Sequence, residues 1–469
     1  MISKILRISL FSICSCAALA DVHMANGLKV GEVDSTSAIV WTRLTENAER
    51  NIDGKPFTDK DGKTSKRPSV KKQPAYPDLE IMKGSVLGKT GDVRVTYWPS
   101  ADVAQKQATA WKRVTSETDF IHQFQLVDLQ PGTAYSLLVE GRDGGSNCQL
   151  EGGFRTAPAA TVGDDIRFVV TTCGDYPRRD DDLNGHKIYT QMLGLDPDFF
   201  VHTGDIEYYD RPYPYAVNLE LARFKWNRIY SMPFLRTFHN QVASYFIKDD
   251  HDTTKNDSWP GVGFQDLTWE QGLQTFREQV PMGEKTYRTI RWGKDLQVWL
   301  VEGRDFRSPN RKKDGPDKTI WGAEQKQWFF DTVQASDATF KVLISPTPIV
   351  GPDRDNKNDN HANKGFTYEG DQIRKFVSEQ DNMYIVCGDR HWQYASIHPA
   401  TGVREFSCGP ASDIHAGGYR EDFRNDMHRY LKVQGGFLRV DVDSAGQTIY
   451  FRHHAVDGSI ANEESFAAK

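Results

Sequence analysis

The sequence predicts an α/β layered domain preceded by an all-β domain, and three observations predict it. Short alternating apolar runs crowd the N-terminal part, at SAIVWTRL, DVRVTYW, HQFQLVDL and AYSLLVEG, with turn-rich clusters between them. Beyond residue 163, β-runs alternate with segments whose apolar residues recur at three- and four-residue spacing. In that second region, four polar clusters fall at the C-terminal ends of β-runs, where open α/β sheets gather their ligand sites.

Residues 1–20 carry Lys4 and Arg7, then an apolar, small-residue stretch, then Ala18-Leu19-Ala20. This is the pattern of a secretory signal peptide, too short to span a membrane. No paired arginine is present, so general secretion is expected rather than the twin-arginine route. Cys16 follows Ile13-Cys14-Ser15, a poor lead-in to a lipidated cysteine. No other run reaches transmembrane length. The expectation is an exported monomer, periplasmic or secreted. Its formal charge of −6 falls to −8 once Lys4 and Arg7 leave. A mildly acidic chain is poorly suited to gripping nucleic acid through phosphates, so no specific nucleic-acid partner is expected. The length exceeds what one core holds, and two domains are expected.

Residues 21–158 read as all-β. Leu129-Gln130-Pro131-Gly132-Thr133-Ala134-Tyr135 resembles the L-x-P-G-T-x-Y corner of fibronectin type III-like sandwiches, where a tyrosine hydroxyl pins a turn. Trp41 is assigned to the same core. Residues 46–89, rich in Lys, Pro, Asp and Gly, read as a mobile polar insertion. Nothing here converges chemically, so a packing or spacer role is expected. The segment FRTAPAATVGDD, with Pro158 and Gly163, marks a linker, and residues 163–469 form the second domain. Its helical patterns are GHKIYTQMLG, AVNLELARFKWNRIYSM, AEQKQWFFDTVQAS and EGDQIRKFV; FKVLIS and MYIVCG are strands between or after them. From Gly402 the chain turns to β again, at REFSCG, GGFLRVDVD and QTIYFRHH.

The four clusters are Cys173 and Asp175 after IRFVVTT, Asp205 and Tyr208 after FFVHTG, Asp249 to Asp252 after YFIK, and Asp389 and His391 after MYIVCG. Phosphate ester hydrolysis needs a strong nucleophile, charge neutralisation across the phosphoryl oxygens, and a proton for the leaving alkoxide. Two metals sharing a carboxylate supply the first two, through an activated water or hydroxide. Asp205 is the natural shared ligand. Tyr208 and Cys173 add phenolate and thiolate, anionic donors that hold trivalent iron in its oxidised state; an all-oxygen set would suit calcium or magnesium. Asp389 completes that first ion, while Asp250 and His391 face the second. His251, beside a ligand, is placed to protonate the leaving group.

These blocks resemble the calcineurin-like metallophosphoesterase superfamily, with consistent departures. Cys173-Gly174-Asp175, Lys248-Asp249-Asp250-His251-Asp252 and Gly388-Asp389-Arg390-His391 resemble the PhoD-like alkaline phosphatase D family, whose members carry D-D-H-E and G-D-x-H after a fibronectin-like domain. Here Asp252 stands in place of the usual glutamate. The resemblance implies a four-layer α/β/β/α core with phosphatase or phosphodiesterase activity on a small phosphate ester or a phosphodiester polymer. It implies one Fe3+ with one or two Ca2+, with Zn2+ or Mn2+ as the alternative. Cys173, Asp205, Tyr208 and Asp389 would hold iron; Asp205, Asp250 and His391 would serve calcium. Arg211 matches an arginine that contacts the substrate phosphate, a role suited to a planar guanidinium.

Plainer readings stand beside these. Cys173 could be a buried strand-end thiol. Of the mature cysteines, Cys148, Cys173, Cys387 and Cys408 could form two disulfides, Cys173–Cys387 being the serious pairing. Asp175 is open between turn and ligand; Asp249 and Asp252 read as capping or supporting carboxylates. Arg390 reaches substrate or pairs with an aspartate. His202 reads as a core histidine, His361 as a pocket or metal residue, and one of His453 and His454 as solvated. Ser412, Asp413 and His415 are too local for a catalytic triad. Two other functions compete: a purple-acid-phosphatase-like phosphomonoesterase, sharing the Asp-x-x-Tyr block, and a non-catalytic surface binding protein.

Overall fold

The computed structural model describes residues 21–58, 69–74 and 76–469. The leader expected at 1–20 lies outside the described residues. Two large sheets carry the architecture. The nine-stranded sheet runs in the spatial order Ile460–Ala467, Thr448–His454, Phe437–Asp443, Ile166–Thr171, Phe199–His202, Ala243–Phe246, Leu28–Gly31, Ala38–Arg43, Ile121–Leu126. The seven-stranded sheet runs Arg288–Trp292, Leu296–Leu300, Phe340–Ser345, Met383–Cys387, Arg404–Cys408, Gln393–Ile397, His428–Lys432. The central strands of each are parallel. Their C-terminal ends meet: Thr172 bridges Pro410, and the Asp389 N–H donates to Thr172 Oγ1 at 3.1 Å.

Alternation along the strands builds the layers, because successive side chains leave opposite faces. Phe168, Val170, Phe199, Val201 and Tyr245 point inward to Val298, Leu300, Val342, Ile344 and Val386 of the other sheet. Their neighbours Val169, Phe200 and Phe246 point outward to Ile188, Leu221 and Phe238 of the helices Ile188–Leu193, Leu219–Tyr230 and Pro233–His239. On the far side Trp299, Leu343 and Ile385 meet Phe329, Val333, Ile373 and Phe376 of the helices Gly322–Gln334 and Thr367–Ser378. The result is helix, sheet, sheet, helix. Phe199 lies between the rings of Phe168 and Trp292, at 4.7 and 4.8 Å. Each such buried side chain stabilises by about 1.5–3 kcal/mol, which offsets the cost of crowding carboxylates at the rim.

The N-terminal β region contributes to two sheets. Gly91–Pro99, Gln107–Ala108, Lys112–Val114, Ala134–Asp143 and Ser146–Arg155 form a separate five-stranded sheet. Its inner residues Val93, Val95, Leu137 and Val139 pack with Leu28, Val30, Val40 and Phe124 as a sandwich. The sandwich's second sheet is continuous with the nine-stranded one, because Leu28–Gly31 pairs parallel to Ala243–Phe246. The expected tyrosine corner is present: the Gln130 N–H donates to Tyr135 Oη at 2.9 Å.

Trp41 leaves this core, contrary to expectation. It sits on the opposite face from Val40, donates from Nε1 to the Glu278 carbonyl at 2.7 Å, and covers the Lys29 ammonium at 3.2 Å. The insertion at 46–89 is docked wherever it is described. Phe57 packs on Phe224, and Gln73 brackets the Tyr215 backbone with two hydrogen bonds of 2.8 and 2.7 Å. The rest of it, 59–68 and residue 75, lies outside the described residues. No helix among the described residues is long and apolar enough to cross a membrane.

Candidate metal centre

Three of the four expected clusters open with a non-glycine residue in the left-handed region: Cys173 at φ 53°, Asp205 at φ 58° and Asp389 at φ 61°. Such backbone costs about 1–3 kcal/mol per residue and persists where surroundings over-determine it. Here the N–H groups of Cys173, Gly174 and Asp175 donate to the carbonyls of Gly204, Asp205 and Ile206 at 3.0, 2.8 and 3.0 Å. The two loops therefore stay paired beyond their strands. Gly204, at φ 106°, lets the second loop touch the third; a Cβ there would lie 2.7 Å from Asp249 Cβ.

The turned loops bring the expected donors together. Tyr208 donates its hydroxyl to Asp205 Oδ2 at 3.0 Å, and its oxygen lies 3.4 Å from His391 Nε2. Cys173 Sγ is 3.7 Å from Asp205 Oδ2. Three groupings have donor atoms within 4.8 Å of one another: Cys173, Asp205 and His391; Asp205, Asp250 and His251; Asp205, Asp249 and Asp389. Asp205 is common to all three, the position a shared ligand must have.

The donors fit cations. Asp205 Oδ1 and Asp249 Oδ2 are buried without a hydrogen-bond partner, a costly state for carboxylate oxygens. Burial, then the charges of Asp250, Asp249 and Asp252, push the Asp205 carboxyl well up, with His251 opposing them. Burial and the Asp205 charge likewise push the Cys173 thiol and the Tyr208 phenol well up. Cations among these groups relieve the repulsion and replace the protons.

Supporting residues hold the donors. Asp252 accepts from the backbone N–H of Asp205 at 2.5 Å, of Glu207 at 3.0 Å and of Asp249 at 3.2 Å. Burial raises its carboxyl to about 7. Arg304, buried behind the third cluster, pairs with Asp249 and lies 3.5 Å from Asp250. Burial opposes the Asp250 charge, but Arg304 and His251 hold that carboxyl below the usual range. His251 directs Nδ1 at Asp210 Oδ1, 2.6 Å away, and stacks 4.2 Å from the Tyr208 ring. Burial works against its charge, yet Asp250, Asp205 and Asp210 raise the imidazole to about 10.

The arginines separate. Arg211 stands exposed on the turn after Tyr208, its N–H donating to the Tyr208 carbonyl at 3.2 Å. Arg390 is fully buried and committed to Asp353 at 2.9 Å, with Asp389 and Asp359 also paired to it. A guanidinium so neutralised and covered is an ion-pair partner of Asp389 rather than a substrate contact. Arg178, not singled out by sequence, is one-third exposed, 3.3 Å from Asp175 and 5.8 Å from the Tyr208 ring.

Other expectations changed. His361 is away from the donors, bonded to Glu369 at 3.0 Å under Trp321. His453 and His454 are both buried; their strand is covered on both faces, with Ser407 and Gly458 carbonyls as partners. His202 is a core histidine whose Nδ1 accepts the Gly204 N–H at 3.3 Å. Cys148, Cys173, Cys387 and Cys408 are all free, and Cys387 Sγ faces the Tyr394 hydroxyl at 3.3 Å rather than Cys173. Sequence reasoning set His415 aside, yet the loop after strand Arg404–Cys408 brings it into the centre. Its Nε2 is 3.2 Å from Tyr208 Oη, and its ring is 4.2 Å from that of His391. The available signal was its place after one more β-run, the feature shared by the other four clusters.

Residues 168–455 match the family model described as PhoD-like phosphatase. Among curated proteins, alkaline phosphatase D of Bacillus subtilis (strain 168) is 22% identical over 334 residues, covering 59% of this chain and 55% of that protein. The match thus spans about half the length of that relative. Among solved structures, one titled "Structure of PhoD" superposes with a TM-score of 0.72 at 16% identity, covering 94% of this chain and 90% of that one. Purple acid phosphatase PPD1 from yellow lupin (Lupinus luteus) seeds gives a TM-score of 0.63 at 11% identity, covering 94% and 74%.

Proposed function

The chain belongs to the PhoD-like phosphatase family, and from that premise we propose that it is a metal-dependent phosphoric ester hydrolase acting outside the cytoplasm. The single observation that carries the reading is the convergence of Cys173, Asp205, Tyr208, Asp250, Asp389 and His391 at the joined C-terminal ends of two sheets, with buried carboxylate oxygens left unpartnered. Bound ions would supply Lewis-acid polarisation of the phosphoryl oxygens and a nucleophile at ordinary pH.

The chain's own residues divide the remaining work. Cys173, Tyr208, Asp205 and Asp389 would hold Fe3+, since thiolate and phenolate favour the oxidised ion; Asp205, Asp250 and His391 would hold Ca2+. Asp249, whose free oxygen joins the grouping with Asp205 and Asp389, is a further oxygen donor for the harder ion. His251, oriented by Asp210 and bearing a proton, would deliver it to the leaving oxygen. Arg211, free at the rim, would grip the phosphate's outer oxygens. The substrate is a small phosphate ester or a phosphodiester polymer, and the leader-like 1–20 segment supports export to the periplasm or medium.

Elemental analysis of protein purified without added metals, combined with hydrolysis assays on mono- and diesters, tests the reading. Iron with calcium and hydrolysis that chelation abolishes is the expected result. A metal-free protein with no hydrolytic activity overturns it in favour of a binding protein. Zinc in place of iron with monoesterase activity alone would favour a centre like that of purple acid phosphatases.

A further inference from the structure

The proton count around Tyr208 does not balance. Its hydroxyl oxygen has three close neighbours: Asp205 Oδ2 at 3.0 Å, His415 Nε2 at 3.2 Å and His391 Nε2 at 3.4 Å. A phenol has one proton to donate, and the carboxylate is the shortest contact. His415 has no second proton to offer. Its Nδ1 lies 3.0 Å from the Cys173 carbonyl and 3.3 Å from the Gly174 carbonyl, and a carbonyl only accepts. A neutral imidazole so placed carries its hydrogen on Nδ1, and Nε2 keeps a bare lone pair. That lone pair is aimed, from within the fold, at an oxygen whose only proton is already given away.

A histidine whose one nitrogen donates to a backbone carbonyl while the other points into an electron-rich cluster has the outer arrangement of a metal-ligating histidine. The spacings agree. Two donor atoms each about 2.1 Å from one ion and at right angles to each other lie about 3.0 Å apart. The gaps of 3.0, 3.2 and 3.4 Å around Tyr208 Oη are of that size. The carbonyl that orients His415 belongs to Cys173, so the same short loop would furnish one sulfur donor and fix the ring of a nitrogen donor.

We infer that His415, through Nε2, is a ligand of the ion held by Cys173, Asp205 and Tyr208. The inference rests on the metal-dependent reading above and adds a nitrogen donor to its first ion. It also gives a purpose to the segment Ser412–His415, which has no triad partner at hand: Ser412 bonds the Arg178 carbonyl, and Asp413 bonds the Gly435 N–H at 2.9 Å.

The test uses the full chain, stripped with a chelator and reloaded with ferric iron, and zinc in parallel. His415→Asn keeps an N–H near the position of Nδ1 and removes Nε2; His415→Gln serves if the asparagine variant does not fold. X-ray absorption on the iron-loaded proteins counts imidazoles in the iron shell. The variant should show one fewer than wild type, bind iron more than about tenfold more weakly, and regain iron when free imidazole is added. An unchanged imidazole count overturns the assignment, whether or not affinity falls, because a merely supporting histidine would alter affinity alone. Wild-type protein that takes up neither ion overturns the metal-dependent reading itself, and the assignment with it.

Discussion

The carboxylate of Asp252 accepts the backbone N–H of Asp205 at 2.5 Å, so a residue of the third cluster fixes the loop of the second. The same group also takes the N–H of Glu207 and of Asp249. Two ligand-bearing loops thus hang from one buried side chain. Asp252→Ala should leave three N–H groups short of a partner and cost about 3 kcal/mol or more. Metal affinity should fall about 10–100-fold with no ligand touched. Denaturant melts and metal titration check both; an unchanged affinity would show that the loops hold without it.

Purified protein should be coloured. Phenolate and thiolate on ferric iron absorb visible light by charge transfer, which calcium, zinc and magnesium do not support. Tyr208→Phe should shift or bleach the band, and Cys173→Ser should abolish bound iron. Absorption spectra with metal analysis decide it, and a colourless, iron-free, fully active enzyme would remove iron from the proposal.

His251→Ala should leave the metals in place and slow esters with poor leaving groups by about 10²–10⁴-fold, with activated aryl esters little affected. Asp210→Asn should show the same pattern more weakly, since Asp210 only orients the ring at 2.6 Å. Comparing kcat across a series of leaving groups reads this directly. Equal losses on both ester types would argue against proton delivery.

Stability should fall as pH drops below neutrality, with His453 as one cause. Burial depresses its folded imidazole to about 3, whereas the unfolded chain titrates near 6.5. Protons therefore bind the unfolded chain first, and stability present above pH 6.5 is lost progressively toward pH 3. Between pH 7 and 5 this group alone should cost about 2 kcal/mol. Melts of wild type and His453→Gln across that range should show the variant losing less.

The layers were legible because period-two and period-3.6 patterns report burial, and burial here follows the strands. Four of the five clusters were legible because they end apolar runs. Trp41 was misplaced because a strand with both faces covered offers no polar alternation to orient it: Trp41 and Val40 are both fully buried. The same double burial hid the fate of His453 and His454. The helix Trp269–Gln279 went unread although Thr268 and Gln271 form a capping box at its start, a signal present in the letters. Asp210, Arg304 and His415 were invisible as site residues for a different reason. Each acts on a donor distant in sequence, and only the closed fold supplies the partner.

The pairing of Leu28–Gly31 with Ala243–Phe246 sets a timetable. Gly31 faces Ser244, so the chain's first strand cannot take its place until a strand made more than two hundred residues later exists. Closing a loop of that length costs about 5 kcal/mol of chain entropy before any contact repays it. Until then the strands at 28–31, 38–43 and 121–126 present an open edge with nothing to receive it. A chain threaded outward from its N-terminus therefore waits, incomplete, for its middle to arrive, and the rim that gathers Cys173, Asp205 and Asp250 assembles as a late and slow event.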